Sequence, residues 1–176
     1  MDVPARYTRV AMALHWLTVA CVAGLYGVGW TMVDLPKGPE RGEMFALHKA
    51  IGITVLLLTL LRLAWRLSHH PPALPAEHPA WRARLAHGTH HLFYLLLVVQ
   101  PVLGYCSSYF SGRGTRFLGL ELPIRPERDA AMNELFSQLH GAGAMLLLLA
   151  IALHVLGALS HGLRGQGAPM RRMLPW

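Results

Sequence analysis

Apolar residues in this chain collect in four long runs, at about 10–32, 46–66, 90–109 and 138–161, and short polar segments join them. Each run supplies the roughly 20 residues that a helix needs to cross about 30 Å of hydrocarbon. The pattern predicts an all-α, integral membrane four-helix bundle, with 1–176 as a single four-span domain. The first run follows a short basic stretch with no convincing small-residue cleavage site, so it is expected to remain as the first span rather than to be removed as a signal peptide.

Composition agrees with a chain solvated by lipid: 53% of its 176 residues are apolar and only 14% are charged, too few for an ordinary soluble domain of this size. A net charge of +7 would suggest nucleic acid in a soluble protein, but the placement of the basic residues excludes that partner. Arg6 and Arg9 precede the first span, Arg62, Arg66, Arg82 and Arg84 flank the second connection, and Arg164, Arg171 and Arg172 follow the fourth span. By the positive-inside rule both termini and the middle connection are cytoplasmic. The first connection (Asp34, Lys37, Glu40, Arg41, Glu43) and the third are near neutral and are expected outside.

Histidines inside the spans carry the chemistry. His140 and His154 are fourteen residues apart in the fourth run, which is about four helical turns, or roughly 21 Å along one face. The same spacing recurs in every span: His15 with Gly29, His48 with Arg62, and His90 with Gly104. Topology then sets depth. His15 and His154 fall in the cytoplasmic half, His48 and His140 in the outer half, so two bis-histidine levels follow, each joining a different helix to the fourth. Zinc or copper asks for three or four protein ligands in compact geometry; two imidazoles facing each other per level suit iron in a planar macrocycle better. Cys21 and Cys106 lie apart in the first and third spans and read as apolar fillers, and no C-x-x-C-H motif is present, so any haem is held by coordination alone.

Several positions keep two readings. Gly29 either clears space for an outer cofactor or serves close helix packing. Arg62 either pairs with a haem propionate or snorkels to the headgroups. Pro101 is expected to bend the third span and widen the outer half of the bundle. The third connection, 111–134, reads as a charged surface loop in which Arg113, Arg116, Arg125 and Arg128 are balanced by Glu121, Glu127, Asp129 and Glu134, with a short surface helix from Pro126 to Gln138 leading into the fourth span. His69, His70, His78 and His87 are given no role. A proton or metal-ion carrier is a second functional class, disfavoured because the four apolar runs contain no carboxylate; a purely structural anchor subunit is a third.

With these residues in place the chain resembles the bacterial cytochrome b-561 family. The resemblance rests on Tyr7-Thr8-Arg9 with Leu14-His15-Trp16, Leu47-His48 followed by Gly52, Arg62-Leu63 with Arg66, Leu85-Ala86-His87 with His90 and Tyr94, Pro101-Val102-Leu103-Gly104, and His140 with His154 and His161. It implies a multi-pass protein of the bacterial inner membrane holding two haem b groups on His15, His154, His48 and His140. Among family members the chain is most similar to the superoxide oxidase type. That likeness implies superoxide as electron donor on the periplasmic side, ubiquinone as bound acceptor near the cytoplasmic side, and His90, His161 and Arg82 as quinone contacts. The alternative is a quinol-oxidising cytochrome, or the cytochrome b subunit of a periplasmic redox partner, which would share the same haem ligands.

Overall fold

The computed structural model describes residues 6–69, 80–163 and 172–174. Its helices are α1 (Arg9–Asp34), α2 (Pro39–Ser68), α3 (Ala80–Phe110) and α4 (Ala130–Leu163). Within them Arg9–Asp34, Pro39–Ser68, Gly88–Phe110 and Ala130–Ser160 are long and apolar enough to cross a membrane. The chain is therefore the all-α membrane bundle that its hydropathy predicts, with side chains such as Leu17, Leu57, Leu61, Leu153 and Leu156 turned outward.

The helices overrun the apolar runs because local signals extend them. Pro39 occupies the start of α2, where its fixed φ favours the helix and its missing N–H costs nothing. At α4 the Asp129 carboxylate accepts the Met132 N–H at 3.1 Å, a side-chain N-cap. The expected short surface helix is accordingly not separate, since residues 130–138 are the first turns of α4. At 34 residues α4 is roughly 50 Å long, more than hydrocarbon alone requires.

The third connection is more ordered than a plain loop. Thr115–Phe117 (β1) pairs antiparallel with Leu120–Leu122 (β2), Arg116 opposite Glu121. Leu118 (φ 50°) and Gly119 (φ 82°) make the tight turn, and two consecutive positive φ values match the right-handed strand twist. Lys49 Nζ donates to the Gly114 carbonyl at 2.9 Å and Tyr105 to that of Pro123 at 2.8 Å, tying the hairpin to α2 and α3. At the opposite end the two termini meet: Trp16 Nε1 donates to the Met173 carbonyl at 2.8 Å, and Trp65 Nε1 to Thr8 Oγ1 at 3.0 Å.

Between the ends sits an apolar plug with a contribution from each helix: Val22, Val55, Leu96, Leu97 and Leu147, flanked by Leu25, Ile51, Phe93 and Ile151. Helix α1 packs on α2, α2 on α3, and α3 on α4. Among the described residues no Cα of α4 comes within 8 Å of one in α1 or α2. Side chains bridge that gap, one of them Tyr26, whose hydroxyl donates to the Ala144 carbonyl at 2.6 Å.

Candidate cofactor site

The histidines of interest lie on the helices whose backbones stay apart across the bundle. At the hairpin end His48 of α2 and His140 of α4 face each other with ring centroids 6.1 Å apart and planes at 82°. Two imidazoles bound through nitrogen to one metal, at about 2 Å per bond and about 1.1 Å from nitrogen to ring centre, have centroids roughly 6 Å apart. The observed centroid spacing is of that order.

Small residues shape this level. A Cβ added at Gly29 would meet His48 Cε1 at 3.4 Å, and one at Gly104 would meet His140 Cε1 at 3.1 Å and Nδ1 at 3.3 Å. Each glycine therefore receives an imidazole edge, and at Gly29 the space that a side chain would fill is taken by His48. The Gln100 carbonyl, one turn before Gly104, accepts from His140 Nδ1 at 3.0 Å. A carbonyl only accepts, so Nδ1 carries the proton and Nε2 of the neutral ring keeps its lone pair. His48 Nδ1 is buried and completes no hydrogen bond of ordinary length.

At the terminal end His15 stands within electrostatic reach of Arg62, His154 and His90. His15 Nδ1 is also buried without a partner. The Phe93 ring meets His154 edge-on, 5.3 Å between centroids. The Arg62 guanidinium lies 5.9 Å from the centre of the Tyr94 ring, and the only carboxylate ion pairs among the described residues are Arg116–Glu121 and Arg125–Asp129. Half-buried Arg62 thus faces the histidine level without an acidic partner. Of the three residues read as quinone contacts, His90 shares the level of His15, whereas the side chains of Arg82 and His161 lie outside the described residues, as do His70, His78 and the His87 side chain.

Both histidine pairs straddle the seams where backbones stay apart, α1 to α4 for His15 with His154 and α2 to α4 for His48 with His140. Backbones that stay apart across these seams, with imidazoles from both sides turned into them, fit a metal-bearing group that His48 and His140, or His15 and His154, would hold through ring nitrogens. Sequence reading passed over Gln100, Gly143 and Tyr26. The first had a visible signal, an amide set within the apolar third run.

On the hairpin surface two of the four arginines are neutralised, Arg116 by Glu121 and Arg125 by Asp129. Lys49, next to His48, keeps Arg113 as a like-charged neighbour, beside a cavity of about 350 Å³ lined by Ala46, Lys49, Thr115, Arg116, Glu121 and Ile124.

The family model described as prokaryotic cytochrome b561 matches residues 6–176. Cytochrome b561 homolog 2 of Escherichia coli (strain K12) is 30% identical over 182 residues, covering 98% of this chain and 93% of its own. Cytochrome b561 homolog 1 of the same organism is 27% identical, with 97% of each chain covered. A protein of Yersinia pestis described as probable superoxide oxidase CybB is 26% identical, covering 97% of this chain and 96% of its own.

Proposed function

Because the chain belongs to the prokaryotic cytochrome b561 family, a family of membrane electron carriers whose name implies haem b, we propose that it is a di-haem superoxide:quinone oxidoreductase of the bacterial inner membrane. In this reading His48 and His140 hold one haem at the hairpin end, taken as periplasmic, and His15 and His154 hold the other at the terminal end, taken as cytoplasmic. Each haem supplies a one-electron iron couple. The observation that supports the reading is the approach of the His48 and His140 rings to 6.1 Å between centroids with their planes near perpendicular, combined with the α2–α4 seam whose backbones stay apart.

The protein's own residues then have distinct tasks. The Gln100 carbonyl holds His140 in the tautomer that offers Nε2. Arg62 offers a fixed positive charge to a propionate at the lower level, through the paired hydrogen bonds that guanidinium favours. Lys49 and Arg113 attract a small anion to the hairpin end, where superoxide gives up one electron and leaves as dioxygen. Two such electrons and two protons convert a quinone to quinol at the terminal end, and the imidazoles of His90 and His161 suit the delivery of those protons.

A second reading draws on the neutralised arginines of the hairpin, which narrow the attractive patch. In it the electrons run the other way, from quinol to a periplasmic protein. Stopped-flow mixing of the oxidised protein with superoxide, with and without quinone, separates the two. Rapid haem reduction followed by quinone-dependent reoxidation is the expected result. No reduction by superoxide together with prompt reduction by quinol supports the second reading.

A further inference from the structure

Five polar residues are buried in the described bundle and hairpin: Thr18, Thr59, Gln100, Ser108 and Thr115. Four of the side chains are satisfied. Thr18 donates to the Leu14 carbonyl and Thr59 to that of Val55, while Ser108 and Thr115 bond to each other. Gln100 is the exception. It is 6% exposed, and both its Nε2 and its Oε1 are buried with no hydrogen-bond partner. A buried amide left unmade is destabilising, and hydrocarbon outside the bundle offers no water to relieve it.

The surroundings hold that amide in place. A Cβ at Gly143 would fall 1.8 Å from Gln100 Nε2 and 3.0 Å from Cδ, so the side chain occupies space that only glycine leaves open. His140 and Gly143 lie on one face of α4, Gln100 and Gly104 on one face of α3. The seam is thus reciprocal: His140 of α4 enters the notch at Gly104, and one turn toward the bundle centre Gln100 of α3 enters the notch at Gly143. Pro101, which lacks an N–H, also leaves the Leu97 carbonyl without its helical donor one turn away.

We propose that Gln100 is a positioning residue of the hairpin-end site, whose amide, seated in the Gly143 notch, donates a hydrogen bond to an acceptor oxygen that arrives with the bound tetrapyrrole. This rests on the haem reading above. The acceptor is an oxygen of the group itself or of a water carried against it. Gln100 then acts twice on one site, through its carbonyl on His140 and through its side chain on the cofactor. A donor facing the group favours the reduced form, so its loss lowers the electron affinity of that site alone.

The test uses the full-length protein in detergent or nanodiscs, loaded with haem b, and potentiometric titration of the two haems. The component missing from His140→Ala marks the hairpin-end site. Gln100→Met keeps length, volume and the carbonyl that holds His140 while removing the amide. Gly143→Ala drives the amide out of its notch, and Gly141→Ala, whose added Cβ meets nothing within 4 Å, is the matched control. Gln100→Met and Gly143→Ala are each expected to lower the reduced-to-oxidised ratio of the hairpin-end haem about fivefold at fixed potential, the worth of one ordinary hydrogen bond. The terminal-end haem and the Gly141→Ala protein stay unchanged. Reloading with a haem whose two propionates are replaced by alkyl groups names the acceptor: a persistent Gln100 effect points to water, its disappearance to a propionate. Two bound haems with no selective shift in Gln100→Met, or an equal shift in Gly141→Ala, overturn the proposal. A wild-type protein that binds no haem between His48 and His140 overturns the haem reading beneath it.

Discussion

Replacing Gly104 and Gly29 separately with alanine asks whether the two notches hold imidazoles for a cofactor. Both substitutions sit in helices, so each gains about 1 kcal/mol of helix propensity, and loss of pigment cannot then be ascribed to a weaker helix. Their local consequences differ. The new Cβ at 29 meets His48 Cε1 at 3.4 Å, ordinary contact, whereas the new Cβ at 104 meets His140 Cε1 at 3.1 Å and Nδ1 at 3.3 Å. To relieve that crowding the His140 ring must swing away from the Gln100 carbonyl, 3.0 Å distant. Losing this hydrogen bond is worth about 1 kcal/mol, and overpacking adds about 1 kcal/mol at the low end of its usual range. The total of about 2 kcal/mol corresponds to roughly thirtyfold weaker haem binding at the hairpin end. Gly29→Ala should stay within about threefold of wild type. Haem titration into apoprotein, followed by visible absorbance and with the terminal-end haem as internal reference, measures both. Equal losses from the two substitutions, or loss of the terminal-end haem from Gly104→Ala, would refute the geometry on which this rests.

Other expectations follow from the same geometry. His48→Ala or His140→Ala should remove one of two haems per chain by pyridine haemochrome assay while leaving the other; loss of both from a folded, membrane-inserted protein would contradict separate levels. Arg62→Gln should lower the reduced fraction of the terminal-end haem several-fold at fixed potential without moving the hairpin-end haem, because a cation within reach of His15 and His154 favours the more negative state; potentiometry checks it. Thr8→Ala removes the cap that accepts the Ala11 N–H and the acceptor for Trp65 Nε1, so it should cost about 1–2 kcal/mol, read as a lower midpoint of thermal unfolding in detergent.

Much of this arrangement is legible in the sequence. Span count follows from length and apolarity alone, and the fourteen-residue spacing depends only on helical rise, so the levels of His48 with Gly29 and of His140 with Gly104 emerge from the sequence. Features that depend on register between neighbouring helices did not emerge. The meeting of Gln100 with Gly143 is fixed by how α3 and α4 slide against each other, and neither residue announces the other. The β-hairpin was hidden for a different reason: Leu118 adopts a positive φ that a non-glycine residue rarely takes, at a cost of roughly 1–2 kcal/mol. The start of α4 differs from the separate surface helix that the sequence predicts because a helix already capped by Asp129 needs no break on entering the bilayer.

The apolar plug has an electrical consequence. Val22, Val55, Leu96, Leu97 and Leu147, with their flanking residues, include no carboxylate, lysine or arginine, so under the di-haem proposal an electron passing between the histidine levels would cross a stretch that offers none of these groups to carry a proton with it. The levels lie about 21 Å apart along α4, roughly two-thirds of the insulating thickness. At a membrane voltage of about 100 mV each transfer would therefore do, or require, about 1.5 kcal/mol of work. The throughput of such a carrier would rise or fall with the energisation of the cell, and an experiment in detergent, where no voltage exists, would not register that dependence.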